Sequence, residues 1–593
     1  MTTTTPISWT QFASQSVAIP VPLLLLLLGF LLVKITSMNP NRIYNNSQNT
    51  DDTEAKVKSP NQPPIKNTLA TNDVASKRSV IPNSNCYRTE EEAPKLTSFE
   101  LSQRGKIWSC HPSWHLPSVP RMDELKSLYV HASMKNIKLL LQQYQVDPIT
   151  GFLPLEEPLQ RLPSARYHLW EDLTDDLPKL VGARFGSSRE ILKELPVIST
   201  DQLTTEPELR RAHLLLCLLA HAFVWGGDTP ADYIPEGIAR PLWEVSQRLD
   251  LPPILIHTSL VLYNWRRLDT QGQICMENIA TLNNFFDGRD ESWFYLITVE
   301  IEAKGAAAIM PLLLANDAIQ RFNASKANSN GTLSRGSNGK KYILSTSSDE
   351  NSDHGDGSIV YSDQALSGEL ILPRVVLFVT AQLKIVAVAI SKICGSLSAM
   401  REGCHPFIFY HRVRTFLSGW KHNPTLPDGL LYEGVSSERK QYYGGSAAQS
   451  SLIPLLDISL GIEHENAKTK EFFSAMRDYM AKPHREFLRH LETTMILRSF
   501  IVDRKAELSA SSTSLDEEYT RLLKELIDVY DECVKYVERF RTEHIAIVAE
   551  YVMAQQKAVN QKNGIANNAG GKGTGGTDLM EFLKPIRDDC TSK

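Results

Sequence analysis

The stretch that most restricts the fold is residues 517–556, EEYTRLLKELIDVYDECVKYVERFRTEHIAIVAEYVMAQQ. Leu523, Leu526, Tyr530, Val534, Val537, Phe540, Ile547 and Tyr551 recur at three- and four-residue spacing, which marks one buried face of an α-helix. Ser514 and Glu517 form a capping-box pattern at its start. A helix of this length spans about 60 Å at ~1.5 Å per residue, so several other helices must pack along it. The chain supplies them. ELRRAHLLLCLLAHAFVW (208–225) predicts a strong buried helix. IARPLWEVSQRLDL and LPPILIHTSLVLYNW predict further helices, the second starting at Pro252 and Pro253. Helical patterning also covers 292–320, the chain from Leu370 onward, and part of 124–144. No array of alternating strands and no internal repeat is visible. The expected fold is all-α.

The 593 residues, 42% of them hydrophobic, exceed what a single core usually holds and predict two or more domains. A net charge of −5 argues against a nucleic-acid partner. The eight cysteines are scattered without a CxxC pair, which argues against a zinc ribbon, a dithiol redox site or a disulfide framework. Residues 1–33 carry no charge, and 17–33 read VAIPVPLLLLLLGFLLV, at the lower limit for a bilayer span. Lys34 and Arg42 follow, and no basic region precedes, so an uncleaved anchor with a cytoplasmic remainder is expected. The expected layout is an anchor over 1–37, a tether over 38–110, a first helical domain over 111–285 and a second over 286–593. A low-complexity insertion, 321–363, containing NASKANSNGTLSRGSNGKK and STSSDENSDHGDGS, interrupts the second.

Three features could carry chemistry. His544 lies on the apolar stripe of the long helix, where a histidine is either a core residue bonded to a backbone carbonyl or an axial ligand to haem iron. Arg541, one turn earlier, could pair with a carboxylate. Phe409, Arg414 and Ser418 follow at spacings of five and four, so an aromatic ring, a guanidinium and a hydroxyl could line one wall, with the arginine either clamping a carboxylate or forming a surface ion pair. The glycine-rich YGGSAAQSSL (443–452) and NNAGGKGTGGTDLMEFL (567–583) have neither a P-loop nor a nucleophile elbow, which leaves turns or flexible covers.

In order along the chain, LPPILIHTSLVLYNW, RTFLSGWKHNPTLPDGLLYEG, YGGSAAQSSLIPLLDISLGI, MRDYMAKPHREFL, RTEHIAIVAEYV and KGTGGTDLMEFLK closely resemble the indoleamine 2,3-dioxygenases over about residues 148–590. The resemblance implies a small helical domain capping a larger one that holds haem b, and a monomeric catalytic domain. It implies that the haem uses O2 to open the indole ring of L-tryptophan or a related indoleamine, giving N-formylkynurenine on the route toward NAD. His544 would be the iron ligand, with Arg541 and Asp457 beside it near a haem propionate. Arg414 would hold the substrate carboxylate, and Phe409 and Phe294 would sandwich or wall the indole. Leu417 and Ser418 would continue that wall. Gly445, Ser446 and Ala447 would form the loop over the haem edge, and Thr574 would hold the substrate ammonium. Where relatives carry a distal tyrosine and serine, this chain has His257 and Thr298; Tyr410 and Ala448 also depart from the family pattern. These departures leave two alternatives to turnover of tryptophan: a weakly active haem-binding sensor or interaction protein, or a dioxygenase for another indoleamine.

Overall fold

Burying one helix on every side requires a cap at its start and a partner for each polar group it carries. Both conditions hold for α1 (Glu206–Trp225). Thr205 Oγ1 accepts from the Glu208 amide, and the Glu208 carboxylate accepts from the Thr205 amide at 2.9 Å, with Glu206 adding negative charge at the positive end of the helix. Every residue from Leu209 to Trp225 is buried. Arg211 is forked onto Glu171 (3.1 and 2.5 Å) and donates to Asn283 Oδ1 at 2.7 Å. His221 lies 2.7 Å (Nδ1) from the Phe416 carbonyl, and its Nε2 accepts from the Leu255 amide at 3.2 Å, which fixes a neutral ring protonated on Nδ1.

The computed structural model describes residues 129–182, 187–331, 372–510, 515–563 and 579–590. The hydrophobic segment 1–37, the tether 38–110, Ser514 and Thr574 lie outside the described residues. Those described belong to one compact unit, Ser113–Lys593. A helix Tyr129–Gln143 opens them, and α2 (Glu236–Leu249) follows α1 and ends at Asp250 in the left-handed conformation, φ 52°.

The helix expected from Pro252 is not formed. Only a single π-helical turn, Thr258–Leu262, exists there. The two prolines remove amide donors, the Leu255 amide is taken by His221, and the Pro253 carbonyl accepts from the Tyr432 hydroxyl at 2.8 Å.

The helix expected over 292–320 is two helices, α3 (Arg289–Gly305) and α4 (Ile309–Gly331), separated by a 3₁₀ turn Ala306–Ala308. At the junction a β-carbon on Gly305 would lie 2.3 Å from the Leu452 side chain. Helix α4 runs to Gly331, into the stretch expected as a low-complexity insertion over 321–363, the rest of which lies outside the described residues.

Next come α5 (Leu372–Ser398), α6 (Leu452–Leu460), α7 (Glu517–Val548) and α8 (Leu579–Asp588). The α7 cap is Asp516, whose carboxylate accepts from the Tyr519 amide at 3.2 Å, in place of the Ser514–Glu517 box. Its buried face carries Leu523, Leu526, Tyr530, Cys533, Val537, Arg541 and Ile547, close to the expected stripe. Helix α5 packs along α7, and also against α3 and α4. Among the described residues Leu372–Gly403 is the one helix long and apolar enough to cross a membrane, and most of it is buried in this core. Strands are minimal: Tyr233–Ile234 pairs in parallel with Leu431–Tyr432, and Trp265–Arg267 pairs antiparallel with Ile279–Thr281.

Candidate active site

The helices leave a cavity of about 650 Å³ between α3, α6, α7 and the segments 409–417 and 445–454. Phe294, Thr298, Arg414, Leu417, Phe409, Gly445, Ser446, Ala447, Asp457, Arg541 and His544 all border it. The spacing of five between Phe409 and Arg414 works because Phe409–Val413 is a π-helical turn, which brings residues five apart onto one face. The rings of Phe409 and Phe294 are 4.5 Å apart, so they form one continuous aromatic wall with no space between them for an indole. Burial pulls the Arg414 pKa down, and the Tyr410 ring lies 5.5 Å from its guanidinium carbon, a cation–π contact that offsets part of that penalty.

His544 borders the cavity, and neither ring nitrogen has a hydrogen-bond partner among the described residues. Burial pushes its pKa below the ordinary value, so the imidazole is neutral and keeps a free lone pair. A core histidine would be bonded to a carbonyl; this one is left open toward the cavity. The walls around it are mostly apolar, including Ile458, Ile545, Val548 and Leu583. An unpartnered neutral imidazole on a mostly apolar cavity wall is the donor set that a haem requires, and the residues present fit one.

One turn before His544, Arg541 is fully engaged. Its Nη2 donates to both Asp457 oxygens at 2.6 Å, and its Nη1 donates to the Ile586 carbonyl at 3.1 Å and to Cys590 Sγ at 2.8 Å. The expected Arg541–Asp457 pairing is therefore present, and it extends further than the sequence suggested. His464 bridges Asp457 Oδ2 (3.4 Å) and Asp589 Oδ2 (2.9 Å). Burial alone would lower the His464 pKa, but its hydrogen bonds to Asp457 and Asp589, with the Asp457 charge, outweigh it and hold the value above the ordinary one.

The loop 443–452 is a capped turn. Ser446 caps Ala447–Gln449, accepting from the Ala448 amide, while Gln449 Oε1 accepts from the Ser446 amide. Its close-approach glycine is Gly444, where a β-carbon would lie 2.3 Å from both Gly419 N and the Leu417 carbonyl. At Gly445 the nearest atom to such a carbon is Leu255 O at 3.7 Å. Ala448 has no positive φ and is compatible with the turn.

Ser418 and His257 do not border the cavity. The Ser418 hydroxyl bonds back to the Arg414 carbonyl at 3.2 Å, and the Trp225 indole N–H donates to the Ser418 carbonyl at 3.1 Å. The His257 ring is buried with Nε2 3.0 Å from Glu302 Oε1, and its amide donates to Gln449 Oε1 at 3.0 Å. Thr298 donates its hydroxyl to the Phe294 carbonyl at 3.1 Å, which leaves only its lone pairs for the cavity. Glu302 and His464 border the cavity but were not singled out from the sequence, and Tyr551, expected only as part of the buried stripe, borders it too. The available signal for Glu302 was an acid four residues after Thr298 and eight after Phe294, on one helix face.

These features match known proteins along most of the folded chain. The indoleamine 2,3-dioxygenase family profile covers residues 140–336 and 371–593. An indoleamine 2,3-dioxygenase of Saccharomyces cerevisiae is 32% identical over 490 residues, covering 76% of this chain and 93% of its own. Indoleamine 2,3-dioxygenase 1 of Rattus norvegicus is 31% identical over 456 residues (76% and 94%), and indoleamine 2,3-dioxygenase 2 of Homo sapiens is 32% identical over 461 residues (76% and 95%). With its helical fold, its open imidazole and its cationic, aromatic wall around one cavity, this chain belongs to the indoleamine 2,3-dioxygenase family and is a haem-dependent dioxygenase.

Proposed function

We propose that the protein converts L-tryptophan to N-formylkynurenine, using haem b and O2, as the first step of the kynurenine route toward NAD. The observation that carries this reading is the unpartnered neutral imidazole of His544 bordering the same cavity as the Arg414 guanidinium. Haem held by His544 would supply the activation of O2; both oxygen atoms enter the product and the indole C2–C3 bond provides the electrons, so the ring opening draws no net electrons from the cofactor. The protein supplies orientation and a dry chamber. Arg414 takes the substrate carboxylate in a forked contact, and its partial desolvation strengthens that pairing. The Phe294–Phe409 wall holds the flat face of the indole and excludes water. Thr298 offers lone pairs at the same wall, Ser418 holds the Arg414 turn from behind, and Thr574 contributes a hydroxyl to the ammonium. Gly445, Ser446 and Ala447 let the backbone border the cofactor edge. Arg541 and Asp457, locked to each other, orient the turn that carries His544 toward a propionate.

In this reading residues 111–285 form the small helical part and 286–593 the haem-holding part, which works as a monomer. The catalytic region lies in the cytoplasm, held at a membrane by residues 17–33. The test is the full-length haem-loaded protein supplied with a reductant, O2 and L-tryptophan. Formation of N-formylkynurenine is expected. A normal haem spectrum with no product from tryptophan, but product from another indoleamine, would shift the substrate; no product from any indole would overturn the catalytic reading.

A further inference from the structure

Glu302 has an arrangement that the site described so far leaves unexplained. It sits on α3, on the face that also carries Phe294 and Thr298, and it borders the cavity. The residue is 1% exposed. Its Oε1 takes two contacts, His257 Nε2 at 3.0 Å and the Ser450 hydroxyl at 2.5 Å. Its Oε2 is buried and has no hydrogen-bond partner among the described residues. A buried carboxylate oxygen without a donor loses solvation with nothing in return, and such groups in native proteins generally have a functional reason. The neighbouring acid on the same helix shows the contrast. Glu300 is satisfied by Lys304, Ser396 and the Met276 amide. The two contacts on Oε1 fix the carboxyl group on one side and leave Oε2, shielded from solvent in a residue at the cavity wall, without a donor.

Resting on the tryptophan reading above, we propose that Glu302 accepts an N–H hydrogen of the amino-acid ligand at Oε2, and that His257 and Ser450 are positioning residues that hold it there. The histidine at the family's distal tyrosine position then acts through Glu302 and not by touching the ligand. The donor is one of two N–H groups on tryptophan, the ring nitrogen or the α-ammonium. Both are complementary to a carboxylate, and the two are separable by choice of ligand.

The test measures binding of three ligands to the haem-loaded, full-length protein by titration of the haem spectrum: L-tryptophan, its ring-N-methylated analogue, and indole-3-propionate, which lacks the ammonium. Wild type should bind one analogue at least about ten-fold more weakly than tryptophan, the size expected of a hydrogen bond to a charged group. Glu302→Gln, which presents an amide N–H where the carboxylate oxygen was, should weaken tryptophan by a similar factor and erase the difference between tryptophan and that analogue. Loss of discrimination against the methylated ring identifies the ring N–H, and loss against indole-3-propionate identifies the ammonium. His257→Phe should reduce discrimination in the same direction while leaving the haem spectrum unchanged. If Glu302→Gln does not fold, Glu302→Asp, which keeps the charge but withdraws it by one methylene, should show the same loss. Equal weakening of all three ligands in every Glu302 variant, with discrimination intact, would overturn the assignment. Absence of tryptophan binding by the wild type would instead defeat the substrate reading on which it rests.

Discussion

Single residues divide by how far away their partners lie. His544 and Arg541 were readable because both sit on one helix whose period declares which face is inward, and the partner expected for the arginine was a carboxylate. Arg414 and Phe409 were readable by spacing, although only the π-helical turn explains why five residues works there. Glu302 was not readable. In sequence it is one of two acids, with Glu300, beside Lys304 on the same helix, and its partners lie 45 and 148 residues away. His257 was placed on the cavity wall by resemblance, whereas its ring is turned to Glu302. The Arg414 assignment predicts that Arg414→Ala weakens tryptophan binding by about ten- to hundred-fold, the size of a lost charged hydrogen bond, with an unchanged haem spectrum. Arg414→Lys should recover only part of the loss, since an ammonium cannot form the planar fork. Spectral titration and steady-state kinetics measure both, and an unaltered affinity in the alanine variant would remove the clamp.

At the scale of elements, α1 shows what a fully buried helix demands. Its histidines His213 and His221 have pKa values lowered to about 4 by burial, which outweighs the opposing pull of their hydrogen bonds to the Pro252 and Phe416 carbonyls. The unfolded chain binds protons on these rings at ordinary histidine values near ~6.5, so the folded state is favoured above that pH. As pH falls from about 6.5 toward about 4, each ring withdraws on the order of 1.4 kcal/mol of stability per pH unit. The thermal midpoint should therefore drop steeply between pH 7 and 5. His221→Gln, which can still donate to the Phe416 carbonyl and accept from the Leu255 amide, should flatten part of that dependence; an identical pH profile would contradict the assignment.

The loop 443–452 gives a second prediction for elements. Gly444→Ala drives a methyl into the backbone of Gly419 and Leu417, and should cost about 1–3 kcal/mol of stability in a melting experiment. Gly445→Ala has room and should fold normally. The sequence left this loop as a turn or a flexible cover; which of its two glycines makes a close approach depends on the crossing of residues 417–419, which no local pattern encodes.

Across the whole molecule, the helical class and most of the long elements followed from periodicity. The departures came where tertiary contacts override local signals: the prolines at 252 and 253, the break at Gly305 and the extension of α4. The C-terminal residues are a further long-range feature. Ile586, Asp589 and Cys590 are tied through Arg541 and His464 to the helix that carries His544. The raised His464 pKa means that its carboxylate contacts contribute fully below about pH 6.5 and fade as pH rises through the folded value. Asp589→Asn should lower that value and speed haem loss to an acceptor globin near neutral pH, with little change well above it. Haem transfer rates equal to wild type at every pH would disconnect the C-terminus from the haem side.

The central claim is that this cavity, with His544 as the iron ligand, performs a dioxygenation. The most direct measurement supplies the haem-loaded protein with isotopically labelled dioxygen and L-tryptophan and determines the product mass. The account predicts N-formylkynurenine carrying both labelled oxygen atoms in wild type, and neither product nor retained haem in His544→Ala. Product carrying only one labelled atom, or undiminished formation of product by His544→Ala, would contradict it.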